Sequence, residues 1–195
     1  MKHTVINSKC PKKALLIHGL YANSGYWLEY LTYFKDYKLI ILEIDYFTLQ
    51  NIQKMIDEVN LLIDTELDGE VDIIVSHSFG TILANGIFSS TFKHSFEICP
   101  VYTSTRTGKE EFIKEIRNKL KSSKTQEETR NQLKWVDELL KIHQLNLEFK
   151  RNRVLFYPDN DIYFEYNKNF TSEIQYFKGD HFNIHDSLRL ILKII

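Results

Sequence analysis

A serine in a turn between a strand and a helix is the residue whose setting best suits chemistry. It is Ser78, in the pentapeptide 76–80 (SHSFG), which follows the apolar run 71–75 and precedes a helix-like stretch beginning near Thr81. A tight turn after a buried strand pushes its central side chain out of the sheet, and backbone N–H groups at the start of the next helix can stabilise a developing oxyanion. The arrangement therefore favours acyl transfer with Ser78 as nucleophile.

The pentapeptide fits the pattern G-x-S-x-G at every position except the first. Small residues two before and two after the serine relieve crowding between strand and helix. Gly80 supplies the second small residue, whereas Ser76 stands where the pattern has its first glycine. Serine is small enough to fit but lacks the backbone freedom of glycine. Taken alone, the pentapeptide is equally compatible with an ordinary serine-rich turn.

Three further segments place polar residues directly after short apolar runs that are typical of buried strands. Two of them are residues 18–20 after 14–17 and residues 158–161 after 154–157, and the third is residues 178–182 after the strand-like run 174–177, which contains Gln175. Ligands of open parallel sheets collect at the carboxyl ends of the strands. A serine, a carboxylate and a histidine are thus predicted at one edge of a sheet, in the chain order Ser78, then Asp159 or Asp161, then His181.

Three features of the chain resemble those of the α/β-hydrolase family, and the resemblance extends over about residues 13–195. They are the His18-Gly19 loop, the serine elbow and Gly179-Asp180-His181 after the last strand. Strand and helix signals alternate, with strands at 39–44 and 71–75 and helices at 49–67 and 81–89. We therefore expect one α/β domain, residues 1–195: a mostly parallel sheet of about six strands with helices on both faces. Little sequence precedes Ala14, so the first two antiparallel strands of the family are expected to be missing or reduced.

The resemblance implies a role for each residue of the site. Ser78 is the nucleophile and His181 the general base, and the pattern G-x-x-D aligns Asp161, rather than Asp159, with the acid of the family. The alternative for Asp161 is that it only caps a helix over residues 162–169. The implied oxyanion hole consists of the backbone N–H groups of Leu20 and Phe79. His77 is interpreted as a residue for packing and orientation, not as a base, and His18 as a residue that shapes its loop.

A helical lid is expected at about residues 104–148, where the family inserts one. No strand signal occurs there, and residues 110–120 and 125–143 read as charged amphipathic helices. Between positions 106 and 124 the sequence has seven basic residues and three acidic ones. A basic surface of this kind could receive an acyl carrier protein or a substrate carboxylate, or could simply be solvated. The residues expected to contact substrate are Tyr21, Arg106, Phe112 and Trp135.

Composition excludes several classes of protein. The chain has 195 residues, 43% of them hydrophobic, and a net charge of −1, which gives no basis for binding nucleic acid or an anionic membrane. No apolar run approaches the roughly 18 residues of a membrane span, and the first residues lack the apolar core of a secretory signal, so we expect a cytoplasmic protein. The spacing His181-x-x-x-His185 has no third metal ligand, so neither metal nor cofactor is expected.

The sequence therefore predicts a serine hydrolase that cleaves a carboxylic ester or thioester of an acyl substrate through an acyl-enzyme. Compact, lidded members of the family with basic lid faces include the esterases that demethylate pimeloyl-carrier-protein methyl ester in biotin synthesis, and this chain is similar in size and layout. The second hypothesis is a noncatalytic or weakly catalytic α/β-hydrolase-like protein that binds a small molecule.

Overall fold

The computed structural model describes residues 1–20, 22–46, 51–88, 91–103, 152–168 and 172–195, together with seven separate positions between 114 and 134. The predicted lid, residues 104–148, therefore lies almost wholly outside the described residues. Its seven described positions are helical and exposed. The boundaries of the lid remain a prediction.

A seven-stranded sheet forms the centre of the molecule, in the strand order β1-β3-β2-β4-β5-β6-β7. The strands are β1 (Lys2–Ile6), β2 (Lys12–Ile17), β3 (Tyr37–Glu43), β4 (Val71–His77), β5 (Phe92–Ile98), β6 (Arg153–Pro158) and β7 (Glu173–Phe177). All neighbouring pairs are parallel except β1 and β3. Strands β2 to β7 correspond to the expected parallel strands. The sheet has one strand more than the expected number of about six, because β1 adds an antiparallel strand at its edge.

Helices cover both faces of this sheet. They are a 3₁₀ helix over Ser24–Phe34, α1 (Ile52–Glu66), α2 (Gly80–Gly86), a 3₁₀ turn over Val101–Thr103, and α3 (His185–Ile194). The expected helix over 49–67 begins at Ile52 because the side chain of Asn51 caps it by accepting the N–H of Lys54 at 3.0 Å. None of the described helices is long and apolar enough to cross a membrane.

Alternation along the strands divides the core into two layers. Leu15 of β2 packs with α1 and α2 on one face, whereas Leu16 packs with the 3₁₀ helix and α3 on the other. Successive side chains of a strand point to opposite faces, so a buried parallel strand must be apolar on both. The two layers cover the two faces of the sheet, and the candidate residues lie at the carboxyl ends of β2, β4, β6 and β7.

Candidate active site

Ser78 occupies a strained turn directly after β4. Its φ is +52°, a left-handed conformation that non-glycine residues seldom adopt. Its N–H donates to the carbonyl of Ile98 at 2.9 Å, and its own carbonyl accepts from the N–H of Thr81 at 3.0 Å and from the Thr81 hydroxyl at 2.5 Å. These bonds hold the strained backbone, which has the geometry of a nucleophile elbow.

Two glycines allow the elbow and the loop after β2 to approach each other. A Cβ atom on Gly80 would lie 2.7 Å from the carbonyl oxygens of Ile17 and His18, and one on Gly19 would lie 2.8 Å from the Cβ of Ser78. Ser76, in contrast, lies within β4 and its φ is not positive. Serine is tolerated at the first position of the pattern because the backbone there is an ordinary strand.

Ser78, His181 and Asp161 form one hydrogen-bonded chain. The Nε2 atom of His181 lies 2.9 Å from the Oγ of Ser78, and its Nδ1 lies 2.8 Å from Oδ2 of Asp161. The side chains of His181 and Asp161 are only 1% and 2% exposed. A hydroxyl within reach of an imidazole that is itself oriented by a buried carboxylate is the arrangement that activates a serine.

The Asp161 carboxylate is fully occupied by donors. Oδ1 accepts from the N–H groups of Tyr163 at 2.8 Å and Phe164 at 3.1 Å, and Oδ2 accepts from the hydroxyl of Tyr166 as well as from His181. Residues 162–168 do not form a helix, so the helix expected under the capping alternative is absent from this part of the chain. The same two backbone bonds instead close a turn, in the way aspartate commonly does.

Asp161 is held in its ionised form. Burial raises the pKa of this carboxyl, but hydrogen bonds from His181, Tyr166 and Tyr163 and the positive charge that His181 can carry outweigh burial and leave the pKa below its usual value. The carboxylate is therefore available to orient the imidazole at neutral pH.

Asp159, the other candidate acid, has a different partner. It is exposed, and its Oδ1 accepts the backbone N–H of Gly179 at 2.9 Å. The N–H of Asp159 donates to Phe177 at 3.0 Å, and that of Asn160 donates to Gly179 at 3.2 Å. Asp159 thus ties the loop after β6 to the loop that carries His181.

His18 fixes the backbone of the loop after β2. Its Nε2 accepts the N–H of Ile44 at 3.1 Å, so Nδ1 carries the proton that is donated to the carbonyl of Gly19 at 2.8 Å. Burial lowers the pKa of His18, which keeps the ring neutral. The carbonyl of Gly19 and the N–H of Leu20 belong to one trans peptide and point in opposite directions. His18 therefore sets the direction of the Leu20 N–H.

His77 holds the backbone of His181. Its Nε2 donates to the carbonyl of His181 at 2.6 Å, and its ring stacks on Tyr26 with centroids 4.9 Å apart. Burial and the charge of His181 lower the pKa of His77 to about 3. His77 is thus a neutral donor beside the site, and the carbonyl that it binds also receives the thiol of Cys99 at 3.8 Å.

One group of three described side chains could hold a metal ion by distance alone. The ligand atoms of Cys99, Asp161 and His181 lie within 4.8 Å of one another. Each already has a hydrogen-bond partner, so their closeness follows from packing around the histidine. His185 is not one of these three residues; its Nδ1 lies 3.2 Å from the hydroxyl of Tyr33.

The remaining predicted residues divide into two sets. Leu20 and Phe79 lie on the two segments that meet at the elbow, and both side chains are buried. Tyr21, Arg106, Phe112 and Trp135 lie outside the described residues, so their substrate contacts remain predictions. Sequence reasoning missed Tyr166. Its only signal is its position five residues after Asp161 on a loop rich in tyrosine.

No family model and no curated protein matches the sequence. Solved structures do match it over nearly the whole chain. The NocB thioesterase domain, in covalent complex with a fluorophosphonate nocardicin G analog, has a TM-score of 0.70 at 12% identity and covers 98% of each chain. A monoacylglycerol lipase of Paleococcus ferrophilus has a TM-score of 0.64 at 14% identity, covering 100% of this chain and 98% of the lipase.

A third similar structure carries the name of the fold. It is one of the epoxide hydrolases of the α/β-hydrolase superfamily from metagenomes of hot environments, with a TM-score of 0.61, 14% identity, and coverage of 94% of this chain and 89% of its own. At these identities the likeness establishes the fold. The chain has the α/β-hydrolase fold, which the sequence predicted.

Proposed function

We propose that this protein is a serine hydrolase that cleaves a carboxylic ester or thioester through an acyl-enzyme on Ser78. The observation that carries the proposal is the hydrogen-bonded chain from the Ser78 hydroxyl through His181 to the ionised Asp161, at the end of a strained turn. Esterases, thioesterases and lipases share the fold, but the fold alone does not define an activity. The proposal therefore rests on the site.

Each residue has one task in the proposed reaction. His181 Nε2 removes the hydroxyl proton as the Oγ of Ser78 attacks the carbonyl carbon, and the N–H groups of Leu20 and Phe79 bind the oxyanion. His181 then gives the proton to the leaving alcohol or thiol, which leaves the acyl group on Ser78. Water, deprotonated by His181, attacks the acyl-enzyme and releases the acid. Asp161 keeps Nδ1 protonated and orients the ring throughout.

An apolar acyl group suits the surface next to the site. Ile162 follows Asp161 and is 69% exposed, and Phe182 follows His181 and is 49% exposed. The ring of Tyr163 packs edge-on against both Phe182 and His181, with centroids 5.8 and 5.7 Å away. These side chains offer apolar contact area to the acyl chain of a substrate.

The narrower proposal is an esterase that acts on pimeloyl-carrier-protein methyl ester in biotin synthesis. It is supported by the size of the chain and by the excess of basic residues between 106 and 124, which would attract an acidic carrier protein. The methyl ester of a methyl pimeloyl thioester should then be hydrolysed faster when the thioester joins the acyl group to an acyl carrier protein than when it joins it to a small thiol. Equal rates would contradict carrier recognition.

Labelling with a fluorophosphonate probe tests the proposed function. Wild type and Ser76→Ala should each take up one probe, whereas Ser78→Ala should take up none. Ser76 is the matched control because it is a buried serine of the same pentapeptide that lies within β4. Mass spectrometry of the intact protein measures the uptake. Absence of labelling in folded wild type would overturn the proposal and favour a noncatalytic binding protein.

A series of p-nitrophenyl esters and acyl thioesters of increasing chain length then defines the substrate class. We expect turnover to peak at one chain length, because a bounded apolar site gains contact area only until it is filled. Turnover by Ser78→Ala equal to that of wild type would show that the chemistry is not on this serine.

A further inference from the structure

Tyr166 donates its hydroxyl to the oxygen of Asp161 that also orients the histidine. Oδ2 of Asp161 accepts both the Tyr166 O–H and the Nδ1–H of His181, whereas within the described part of the chain Oδ1 accepts the backbone N–H groups of Tyr163 and Phe164. No role in the proposed reaction accounts for a second donor on this one oxygen.

We propose that Tyr166 is a positioning residue of the hydrolase: its hydroxyl holds Oδ2 of Asp161 in the place from which it orients His181. The inference rests on the proposed function. It concerns the geometry of the acid, not direct contact with substrate.

The backbone bonds of Asp161 do not do this alone. The N–H groups of Tyr163 and Phe164 both bind Oδ1, so they anchor one oxygen of the carboxylate. Combined changes of the two side-chain torsions can still pivot the carboxylate about this anchored oxygen, which would move Oδ2 relative to His181. The hydroxyl of Tyr166 is the side-chain donor that fixes this second oxygen independently of the imidazole.

The surroundings of Tyr166 hold it rigidly enough to act in this way. Its ring stacks on that of Tyr157, with centroids 4.7 Å apart and planes 22° apart. Tyr157 belongs to β6 and is 1% exposed. Burial is the main cause that raises the pKa of Tyr166, and electrostatic interactions with Cys99 and Asp161 raise it further. The phenol therefore stays protonated and remains a donor.

A double-mutant cycle separates positioning from a merely structural role. Tyr166→Phe should lower kcat at least about tenfold with KM little changed, the factor expected for loss of a hydrogen bond to a charged group. If Tyr166 acts through Asp161, the same change in an Asp161→Asn background should cost almost nothing further. An equal loss in both backgrounds, or wild-type kcat in Tyr166→Phe, would overturn the inference.

Tyr157→Phe is the matched control. It removes a hydroxyl from the ring stacked on Tyr166, and that hydroxyl donates to the carbonyl of Asn167 at 3.2 Å. Its kcat should equal that of wild type, and a tenfold loss would overturn the assignment of the effect to the bond between the Tyr166 hydroxyl and Asp161. If Tyr166→Phe does not fold, p-fluorophenylalanine at this position nearly keeps the size of the side chain and removes the donor. A kcat equal to wild type would then overturn the inference.

The labelling experiment keeps the two proposals apart. Wild type that does not react with fluorophosphonate overturns the proposed function itself. Wild type that reacts, beside a Tyr166→Phe protein that reacts at the same rate, overturns only the role of Tyr166. Labelling that is about tenfold slower in Tyr166→Phe supports both.

Discussion

The Nε2 atom of His181 lies 2.9 Å from the Oγ of Ser78, although 103 residues separate them in the chain. Strands β5 and β6 lie between β4, which ends at Ser78, and β7, which precedes His181. The loop after β7 must therefore cross two strands. The bond from His77 to the carbonyl of His181, at 2.6 Å, holds the loop where it arrives. The catalytic contact proposed here depends on this crossing.

The identity of the acid is the first prediction. Asp161→Asn should lower kcat by about ten thousandfold, as such changes do in serine proteases, because an amide NH₂ at this position disfavours the tautomer of His181 that accepts the serine proton. Asp159→Asn is the control and should stay within a few-fold of wild type, since an asparagine oxygen can still accept the N–H of Gly179. Steady-state kinetics on a p-nitrophenyl ester measures both. The reverse pattern would assign the acid to Asp159.

The second prediction concerns the loop that presents the Leu20 N–H. His18→Phe keeps a ring but removes the bonds to Gly19 and Ile44. We expect kcat to fall by about tenfold to a hundredfold, with KM little changed, because an oxyanion donor acts in the transition state.

Tyr46→Phe provides a graded comparison for this loop. The Tyr46 hydroxyl donates to the carbonyl of His18 at 2.6 Å, one peptide away from the proposed oxyanion donor. The loss of kcat should therefore be smaller than in His18→Phe. A larger loss in Tyr46→Phe would show that His18 does not set the direction of the Leu20 N–H.

The third prediction is that Gly80 is required for its lack of a side chain. A Cβ there would meet two backbone oxygens at 2.7 Å, which cannot move without shifting β2. Gly80→Ala should lower the free energy of unfolding more than Gly69→Ala does. At Gly69 the positive φ of 78° is strained for alanine but the space is open, so the expected loss is roughly 1 kcal/mol. Urea unfolding measures both. Equal midpoints would contradict the close approach.

Much of the fold follows from short apolar runs, and the reason is the burial of both faces of parallel strands. The runs at 14–17 and 71–75 can be recognised without a partner strand, because the covered part of a parallel strand is apolar on both faces; Asp72, near the start of β4, is partly exposed and does not hide the pattern. Strand β1 was missed because Lys2–Ile6 mixes polar and apolar residues, as an edge strand does.

The details of the site depend on contacts between distant loops, which no local pattern encodes. Ser78, Asp161 and His181 could be named from their positions after strands, but the choice between Asp159 and Asp161 came from a resemblance. The structure shows why the two differ: one carboxylate binds Gly179 and the other binds His181. The contact of Tyr166 with Asp161 depends on the path of residues 162–168, where a helix was the only local alternative.

The last prediction is a loss of stability in acid that depends on His77. Its pKa is about 3 in the folded protein, because of burial and then the charge of His181, against 6.5 for the free side chain. Between these values the unfolded chain binds a proton that the folded chain does not, so stability rises with pH across this window. The contribution is complete above about pH 6.5 and is lost towards pH 3, at up to about 1.4 kcal/mol per pH unit.

His77→Gln tests this dependence. Glutamine does not titrate, and its amide N–H can still donate towards the carbonyl of His181. Urea unfolding at several pH values from 7 to 4 should show that the free energy of unfolding falls less steeply with falling pH than in wild type. The difference between the two slopes should correspond to about one bound proton. The lowered pKa of His18 adds a slope of the same sign, which both proteins keep. Asp161 contributes in a separate window, below its ordinary pKa of 3.8, where its stabilisation is lost as the pH falls. Identical slopes in the two proteins would mean that the pKa of His77 is not lowered by folding.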